Sequence, residues 1–203
     1  MTFKAVESLA EFADEAVLHA DRLIALSGQG LNWITEIAPS AQVDAGLPAP
    51  DMSKQFFIGE MESNMPAPNA TVTTLGDITS KDRLDDAFSW LTAACLIEIC
   101  AYWRSEAQAR LAEELHIGNL KYFEEPVLEA AVLRRNEYIH GFRYSRKDLP
   151  ELPPFSKVAK HDQIAITQNE LRDFRDYIVN GLVDVTAADW STYAVKKKIG
   201  SVD

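Results

Sequence analysis

The longest helical pattern of the chain, residues 80–116, constrains the fold more than any other feature. Its apolar side chains recur at helical spacing, at Leu84, Phe88, Leu91, Cys95, Ile99 and Tyr102. Ser80 can cap the start of the helix, and Gly118 follows its end. An unbroken helix of this length would extend about 50 Å, so its apolar face needs helical partners along that length.

Three further segments have the same character. Residues 6–27 carry an apolar stripe at helical spacing, and residues 122–140 have a proline that fits only the first turn, with a glycine directly after the end. Thr167 and Glu170 form a capping-box pattern that opens a last clear helix, residues 167–180. The pattern predicts an all-α fold, a helical bundle.

One segment, residues 39–79, interrupts the helical pattern with prolines, glycines and two strand-like pieces, QFFI and TVTTL. A structureless loop of this length is unusual in a compact domain. We therefore expect an irregular insertion that packs on the bundle with a small β-hairpin, or one that is partly mobile. The whole chain, residues 1–203, is predicted to be a single helical domain with a core at 80–181 and a C-terminal tail at 182–203.

The composition predicts a cytoplasmic protein that does not contact a membrane. The N-terminus has no long apolar run after a basic start, so we expect no secretory signal. The longest apolar run, residues 91–97, is far too short to span a bilayer. Cys95 and Cys100 lie five residues apart on a predicted helix and project roughly 140° apart, so we expect both to be reduced.

The charge of the chain is unevenly distributed. A net charge of -11 argues against a general nucleic-acid binder. The window from residue 134 to residue 147, however, contains one acidic residue and five basic ones: Arg134, Arg135, Arg143, Arg146 and Lys147. This basic island fits a small phosphate site better than a long binding groove. The alternative is a chance cluster of solvated loop charges.

Within this island, Arg135, Asn136 and His140 stand close together at the end of a predicted helix, directly before Gly141. An arginine can hold a phosphate with a planar fork of donors, and a histidine can move a proton near neutral pH. Asn136 and His140 are four residues apart and share a helix face. Together these residues suit phosphodiester cleavage without a metal. The alternative for His140 is a histidine that caps the helix carbonyls.

The same helix places Arg135 near the core. Leu128, Val132 and Ile139 fall within about 40° of one another on a helical wheel, and Arg135 lands in the same sector. A buried charge needs a partner. Glu98 is the sole charge within LTAACLIEICAYW on the preceding helix. We predict that Glu98 and Arg135 face each other across a helical hairpin, either in support of a site or as a plain buried ion pair.

These residues resemble the motif of the HEPN superfamily, a group of helical bundles common in bacterial toxins and phage-defence proteins. The family carries an arginine, four to six residues, and then a histidine, with Asn, Asp or His often after the arginine. Arg135-Asn136-(x3)-His140 matches the commonest form, and a glycine frequently follows, as here. Arg134 with His140 satisfies the looser spacing, which leaves Arg134 and Arg135 as two candidates for the working arginine. The resemblance covers residues 80–181.

The resemblance implies a metal-independent endoribonuclease without a cofactor. The 2′-hydroxyl of the RNA substrate would attack the adjacent phosphate and leave a 2′,3′-cyclic phosphate. Arg135 would stabilise the transition state, His140 would act as general acid or base, and Asn136 would orient the histidine or a phosphate oxygen. Arg134 and Arg143 would support the site. The resemblance also implies a homodimer with both motifs facing one cleft, and an antitoxin or defence partner.

The chain departs from one branch of the family. In toxins that are regulated by a nucleotidyltransferase antitoxin, a tyrosine usually stands two residues after the histidine. Phe142 occupies that position here, and Tyr144 is out of register. This departure puts regulation by adenylylation in doubt.

Two other classes of function compete with the nuclease. Glu113 with His116 and Glu137 with His140 have the spacing of di-iron ligands. In a simple hairpin they would lie ~30 Å apart, so we do not expect a shared metal. The other alternative is a non-catalytic HEPN-like module for dimerisation or for binding a nucleotide or partner.

Overall fold

The fold is predominantly helical, as predicted, and a computed structural model describes most of the chain. The described residues are 2–32, 51–53, 55–58, 61–62, 65–66, 71–74, 76, 80–118 and 120–196. The chain divides into two compact units, Met1–Asp21 with Ser89–Asp203, and Arg22–Phe88. One domain was predicted. The boundaries between the units fall inside two long helices. The apolar periodicity of the sequence predicts each of these helices to be continuous across its boundary.

The second unit contains the predicted strands. Strands β1 (Gln55–Ile58) and β4 (Thr71–Thr74) pair antiparallel, and β2 (Met61–Glu62) pairs with β3 (Met65–Pro66). The pairing of β1 with β4 confirms the two strand-like pieces of the predicted insertion. Both pieces contain the aromatic or β-branched residues that favour strands. The remainder of the predicted insertion at 39–79 lies largely outside the described residues.

Helices build the first unit. Among the described residues, the α-helices are α1 (Lys4–Asn32), α2 (Lys81–Tyr102), α3 (Gln108–Glu114), α4 (Pro126–His140), α5 (Gln168–Asp176) and α6 (Ala187–Tyr193). Residues 80–116 do not form one helix, because a π-helical turn at Trp103–Ala107 separates α2 from α3. A second π turn, Tyr177–Gly181, follows α5 directly. Among the described residues, no helix is long and apolar enough to cross a membrane.

Three aromatic side chains form the centre of the first unit. Trp103, Phe123 and Trp190 are at most 1% exposed. The Trp190 ring lies 6.0 Å from the Trp103 ring and 5.6 Å from the Phe123 ring, centroid to centroid. Aromatic pairs at these distances add to the free energy gained from burial alone.

The C-terminal region is part of this core. Trp190 lies on α6, which starts with a capping box at Thr186 and Asp189. The following strand β6 (Ala194–Lys196) pairs antiparallel with β5 (Leu120–Phe123). The prediction of a tail at 182–203 is therefore wrong for residues 182–196. Its physical reason is that a seven-residue helix has too few turns to show an apolar period.

Helix α4 carries the motif, and both of its ends match the predicted signals. Glu125 caps the start by accepting a hydrogen bond from the Leu128 N–H at 2.8 Å, with Pro126 in the first turn. The helix ends at His140, and Gly141 follows. A Cβ on Gly141 would lie 1.9 Å from the carbonyl oxygen of Tyr144. The chain needs glycine there for space rather than for an unusual φ, which is -92°.

Candidate functional site

The structure separates the roles of the two adjacent arginines. Arg134 is 2% exposed, and its Nη2 donates to the carbonyl oxygens of Pro150 (3.0 Å) and Ser156. Its guanidinium lies 4.7 Å from the centroid of the Phe155 ring. Burial lowers the pKa of Arg134 from its ordinary value. Arg134 therefore anchors the loop that follows α4, and the prediction that it supports the site through the looser motif spacing is wrong.

Arg135, in contrast, faces the preceding helix α2, as the helical wheel predicted. It is half-buried and lines a cavity of about 70 Å³. The other lining residues are Cys100, Ala101, Arg104 and Val132. Of the two adjacent arginines, Arg135 is thus the one that is partly buried and lines a cavity.

The predicted pairing of Glu98 with Arg135 is wrong. Glu98 is exposed. It lies on α2 about 110° around the axis from the face that Cys100 and Ala101 present to the cavity. The sequence identified the right helix but not the right face, since one charge in an apolar run does not define the direction of contact. Within the described chain, Arg135 has no carboxylate partner.

Asn136 holds Arg135 in place. The Nη1 of Arg135 donates to the Asn136 Oδ1 at 2.9 Å. The sequence predicted that Asn136 would orient the histidine or a phosphate oxygen; its carbonyl oxygen instead orients the arginine. The Nε–H of Arg135 is buried and finds no acceptor within the described part of the chain. The bond from Nη1 to Asn136 therefore fixes one corner of the guanidinium.

His140 is the last residue of α4, and it is exposed. It follows Arg135 by five residues, which is a rise of about 7.5 Å and a rotation of about 140°. The structure therefore brings Arg135 and Asn136 together but directs His140 away from Arg135 within one chain. Exposure leaves the imidazole accessible to a large substrate or a second protomer.

Glu137 organises the loop beside His140, and the sequence analysis gave it no such role. Its side chain is almost fully buried and accepts hydrogen bonds from Arg146, from the backbone N–H at 2.9 Å, from Nε at 3.2 Å and from Nη2 at 3.1 Å. Lys147 Nζ lies 3.8 Å away. Glu137 is the single acidic residue in the basic window, residues 134–147. This isolation among basic residues was the sequence signal that pointed to its role.

Three of the five basic residues in the predicted island are buried or paired with Glu137. Arg134 is buried in the core, while Arg146 and Lys147 pair with Glu137. Arg143, which was predicted to support the site, is half-buried, with a φ of 73°. The surface around the motif is therefore less positive than the sequence suggests.

Replacing Glu137 by glutamine is expected to lower the free energy of unfolding by about 1–3 kcal/mol, because charge-assisted hydrogen bonds become neutral ones. The hydrogen bonds from Arg146 lower the pKa of Glu137 below its ordinary value of 4.5. Its stabilisation is therefore complete above the unfolded-state pKa and is lost as pH falls through the folded-state pKa. Wild type should lose more stability than Glu137→Gln between neutral pH and pH about 3 in chemical denaturation.

The matched control is Glu113→Gln, which changes an exposed carboxylate on α3. It should leave both stability and its pH dependence unchanged within about 0.5 kcal/mol. An equal pH dependence in wild type and Glu137→Gln would contradict the role assigned to Glu137.

Three exposed apolar side chains lie within four residues of His140 along the chain. Ile139 is 37% exposed, Phe142 86% and Tyr144 54%. Phe142 also has a φ of 51°. A bulky residue rarely adopts a positive φ, and here that conformation projects the ring into solvent. Exposed apolar side chains of this size are candidates for a binding surface.

A larger cavity, of about 840 Å³, lies elsewhere in the first unit, among the start of α1, the end of α3 and residues 183–187. None of the motif residues lines it. Its Glu114 carboxylate accepts a hydrogen bond from the Ala5 N–H at 3.1 Å and so caps α1. The described residues contain no group of three or more His, Cys, Asp or Glu that could hold a metal ion.

No family model, curated protein or solved structure matches this chain. The resemblance to the HEPN superfamily therefore rests on the motif and its helical context.

Proposed function

We propose that the protein is a metal-independent endoribonuclease of the HEPN type that acts in a toxin–antitoxin or phage-defence system. The observation that carries the proposal is the state of Arg135. Its guanidinium is held by Asn136, and the residue lines a cavity. An exposed imidazole, His140, ends the same helix. A fixed arginine and an accessible histidine are the groups that this cleavage needs.

In the proposed reaction, the 2′-oxygen of a ribose attacks the neighbouring phosphorus, and the bond from phosphorus to the 5′-oxygen breaks. The products are a 2′,3′-cyclic phosphate and a free 5′-hydroxyl. His140 accepts the proton of the 2′-hydroxyl or gives a proton to the leaving 5′-oxygen. Arg135 stabilises the additional negative charge on the phosphate in the transition state.

A homodimer with both motifs in one cleft fits this chemistry better than a single chain. The side chains of Arg135 and His140 project from α4 in directions about 140° apart. In a homodimer, the histidine of the second protomer would approach Arg135 from the side that its own His140 does not reach. Two imidazoles in one cleft also provide a base and an acid together. The exposed side chains of Ile139, Phe142 and Tyr144 supply apolar surface for the contact.

Phe142→Asn is expected to weaken dimerisation about tenfold or more, since it removes an aromatic anchor from the interface. Asparagine tolerates a positive φ, so the loop should keep its conformation and the protein should remain folded. Sedimentation equilibrium measures the dimer dissociation constant. Trp90→Ala, which removes an aromatic ring that is 61% exposed on α2, should leave that constant unchanged. A monomeric wild type at high concentration would contradict the dimer.

The direct test of the proposed function is incubation of purified protein with mixed RNA in excess EDTA. We expect cleavage to persist, because the nucleophile comes from the substrate and the charge stabilisation from Arg135. Cleavage that is lost in EDTA and restored by a divalent cation would contradict the proposed mechanism.

One observation favours a second candidate function, a non-catalytic dimerisation or partner-binding module. Phe142 is 86% exposed beside His140, which is equally suited to a protein interface. A folded dimer that does not cut RNA under any of these conditions, and whose dimerisation depends on Phe142, would favour this function over the nuclease.

A further inference from the structure

Arg135 is a partly buried cation whose neutralising partner is missing from the described part of the chain. The Asn136 amide that binds it is uncharged. The Cys100 thiol in the same cavity is also neutral, because burial raises its pKa to about 12 even though the charges of Arg135 and Arg104 act to lower it. A partly buried cation that lines a cavity without a carboxylate partner among the described residues favours an anionic ligand in that cavity.

A second arginine lines the same cavity. Arg104 lies on the π-helical turn Trp103–Ala107, a type of turn that is frequent at functional sites. Its Nη2 forms an ion pair with Glu129 Oε1 at 2.5 Å. The side-chain amide of Gln108 lies 3.0 Å from Arg104 Nη1 and accepts its hydrogen bond in the orientation that turns the amide oxygen towards the guanidinium. These two contacts fix the guanidinium of Arg104 before any ligand arrives.

The charge and size of the cavity select a ligand class. Two arginines and one carboxylate, Glu129, leave a net charge of +1 at the cavity. Its volume of about 70 Å³ is several times the space that one water needs, about 10–15 Å³. The cavity is too small for a nucleobase or for an amino-acid side chain as large as a nucleobase. An arginine guanidinium suits two oxygens of a tetrahedral anion, because its planar donors can bind both at once.

We infer that the cavity between α2 and α4 is a phosphoryl-binding pocket, in which Arg135 binds the phosphate oxygens and Arg104 supplies a second positive charge. The ligand is a phosphoryl group, from either a terminal phosphate or an internal phosphodiester. The inference deepens the proposed nuclease by naming Arg104 as a further phosphate-binding residue. Its test requires no cleavage.

The experiment is isothermal titration of the intact protein with inorganic phosphate and, separately, with a 2′-deoxy dinucleoside monophosphate, which has an internal phosphodiester but cannot be cleaved. We expect saturable binding of at least one of the two, weakened tenfold or more in Arg135→Met. Preference for inorganic phosphate would indicate a terminal group, and preference for the dinucleotide an internal one. No saturable binding of either would overturn the inference.

Two variants separate a binding site from a structural role. Glu129→Gln removes the carboxylate that competes for Arg104, so we expect it to bind phosphate several-fold more tightly than wild type. A merely structural ion pair predicts unchanged or weaker binding, and that result would overturn the role of Arg104. Arg110→Met, which removes a charge that is 54% exposed on α3, should bind phosphate as wild type does. Equal weakening in Arg110→Met and Arg135→Met would show a general charge effect and would also overturn the pocket.

The outcome is independent of the nuclease test. Phosphate binding that follows these variants, in a protein that does not cut RNA, supports the pocket and contradicts the nuclease. RNA cleavage by a protein that binds neither probe supports the nuclease and contradicts the pocket.

Discussion

His140→Ala is expected to slow RNA cleavage by about 10²–10⁴-fold, the range that a positioned general acid or base contributes. This corresponds to about 3–5 kcal/mol of transition-state stabilisation. His140 is exposed at the end of α4, so its removal leaves no buried cavity. The thermal midpoint of unfolding should therefore stay within a few degrees of wild type, and the loss should be a loss of chemistry.

The measurement is the initial rate of cleavage of a labelled oligoribonucleotide, with thermal unfolding recorded on the same preparations. His19→Ala is the matched control, since His19 is also an exposed helical histidine, on α1. It should cut at the wild-type rate. Wild-type activity in His140→Ala would contradict the role of His140 as general acid or base.

Trp190→Ala is expected to lower the free energy of unfolding by about 3–5 kcal/mol, a large share of the stability of an ordinary domain. Trp190 is 0% exposed, and its ring contacts the rings of Trp103 and Phe123. Alanine would remove these contacts and leave a cavity between α6 and the π turn at Trp103–Ala107. Denaturant unfolding at neutral pH measures the change.

Trp90→Ala is the control for this substitution because the Trp90 side chain is 61% exposed. Its effect should stay within about 0.5 kcal/mol. A similarly small effect of Trp190→Ala would mean that residues 182–196 behave as the tail that the sequence suggested.

The helices with clear chemical boundaries were predictable from the sequence. Pro126 and Gly141 bracket α4, and the Thr167–Glu170 capping box opens α5, as the local rules require. Such signals act over one turn and do not depend on the rest of the fold. The π turn at Trp103–Ala107 was not predictable, because apolar periodicity does not distinguish a single π turn from the α-helix on either side of it.

The site was predictable only in part, for a similar reason. The helical wheel directed Arg135 towards α2, and the cavity confirms that direction. Periodicity does not resolve which residues of the preceding helical segment meet it. Glu98 was predicted, whereas Cys100, Ala101 and Arg104 line the cavity. Periodicity also did not separate Arg134 from Arg135, because the carbonyl oxygens that hold Arg134 come from a loop 16–22 residues further along the chain.

The most direct test of the central claim is the chemistry of the cleaved ends. An oligoribonucleotide and its 2′-O-methyl analogue are incubated with wild-type protein in EDTA, and the products are analysed by mass spectrometry. We predict cleavage of the ribonucleotide strand alone, with 2′,3′-cyclic phosphate and 5′-hydroxyl ends. Cleavage of the 2′-O-methyl strand, or products with 5′-phosphate ends, would contradict attack by the 2′-hydroxyl and with it the proposed function.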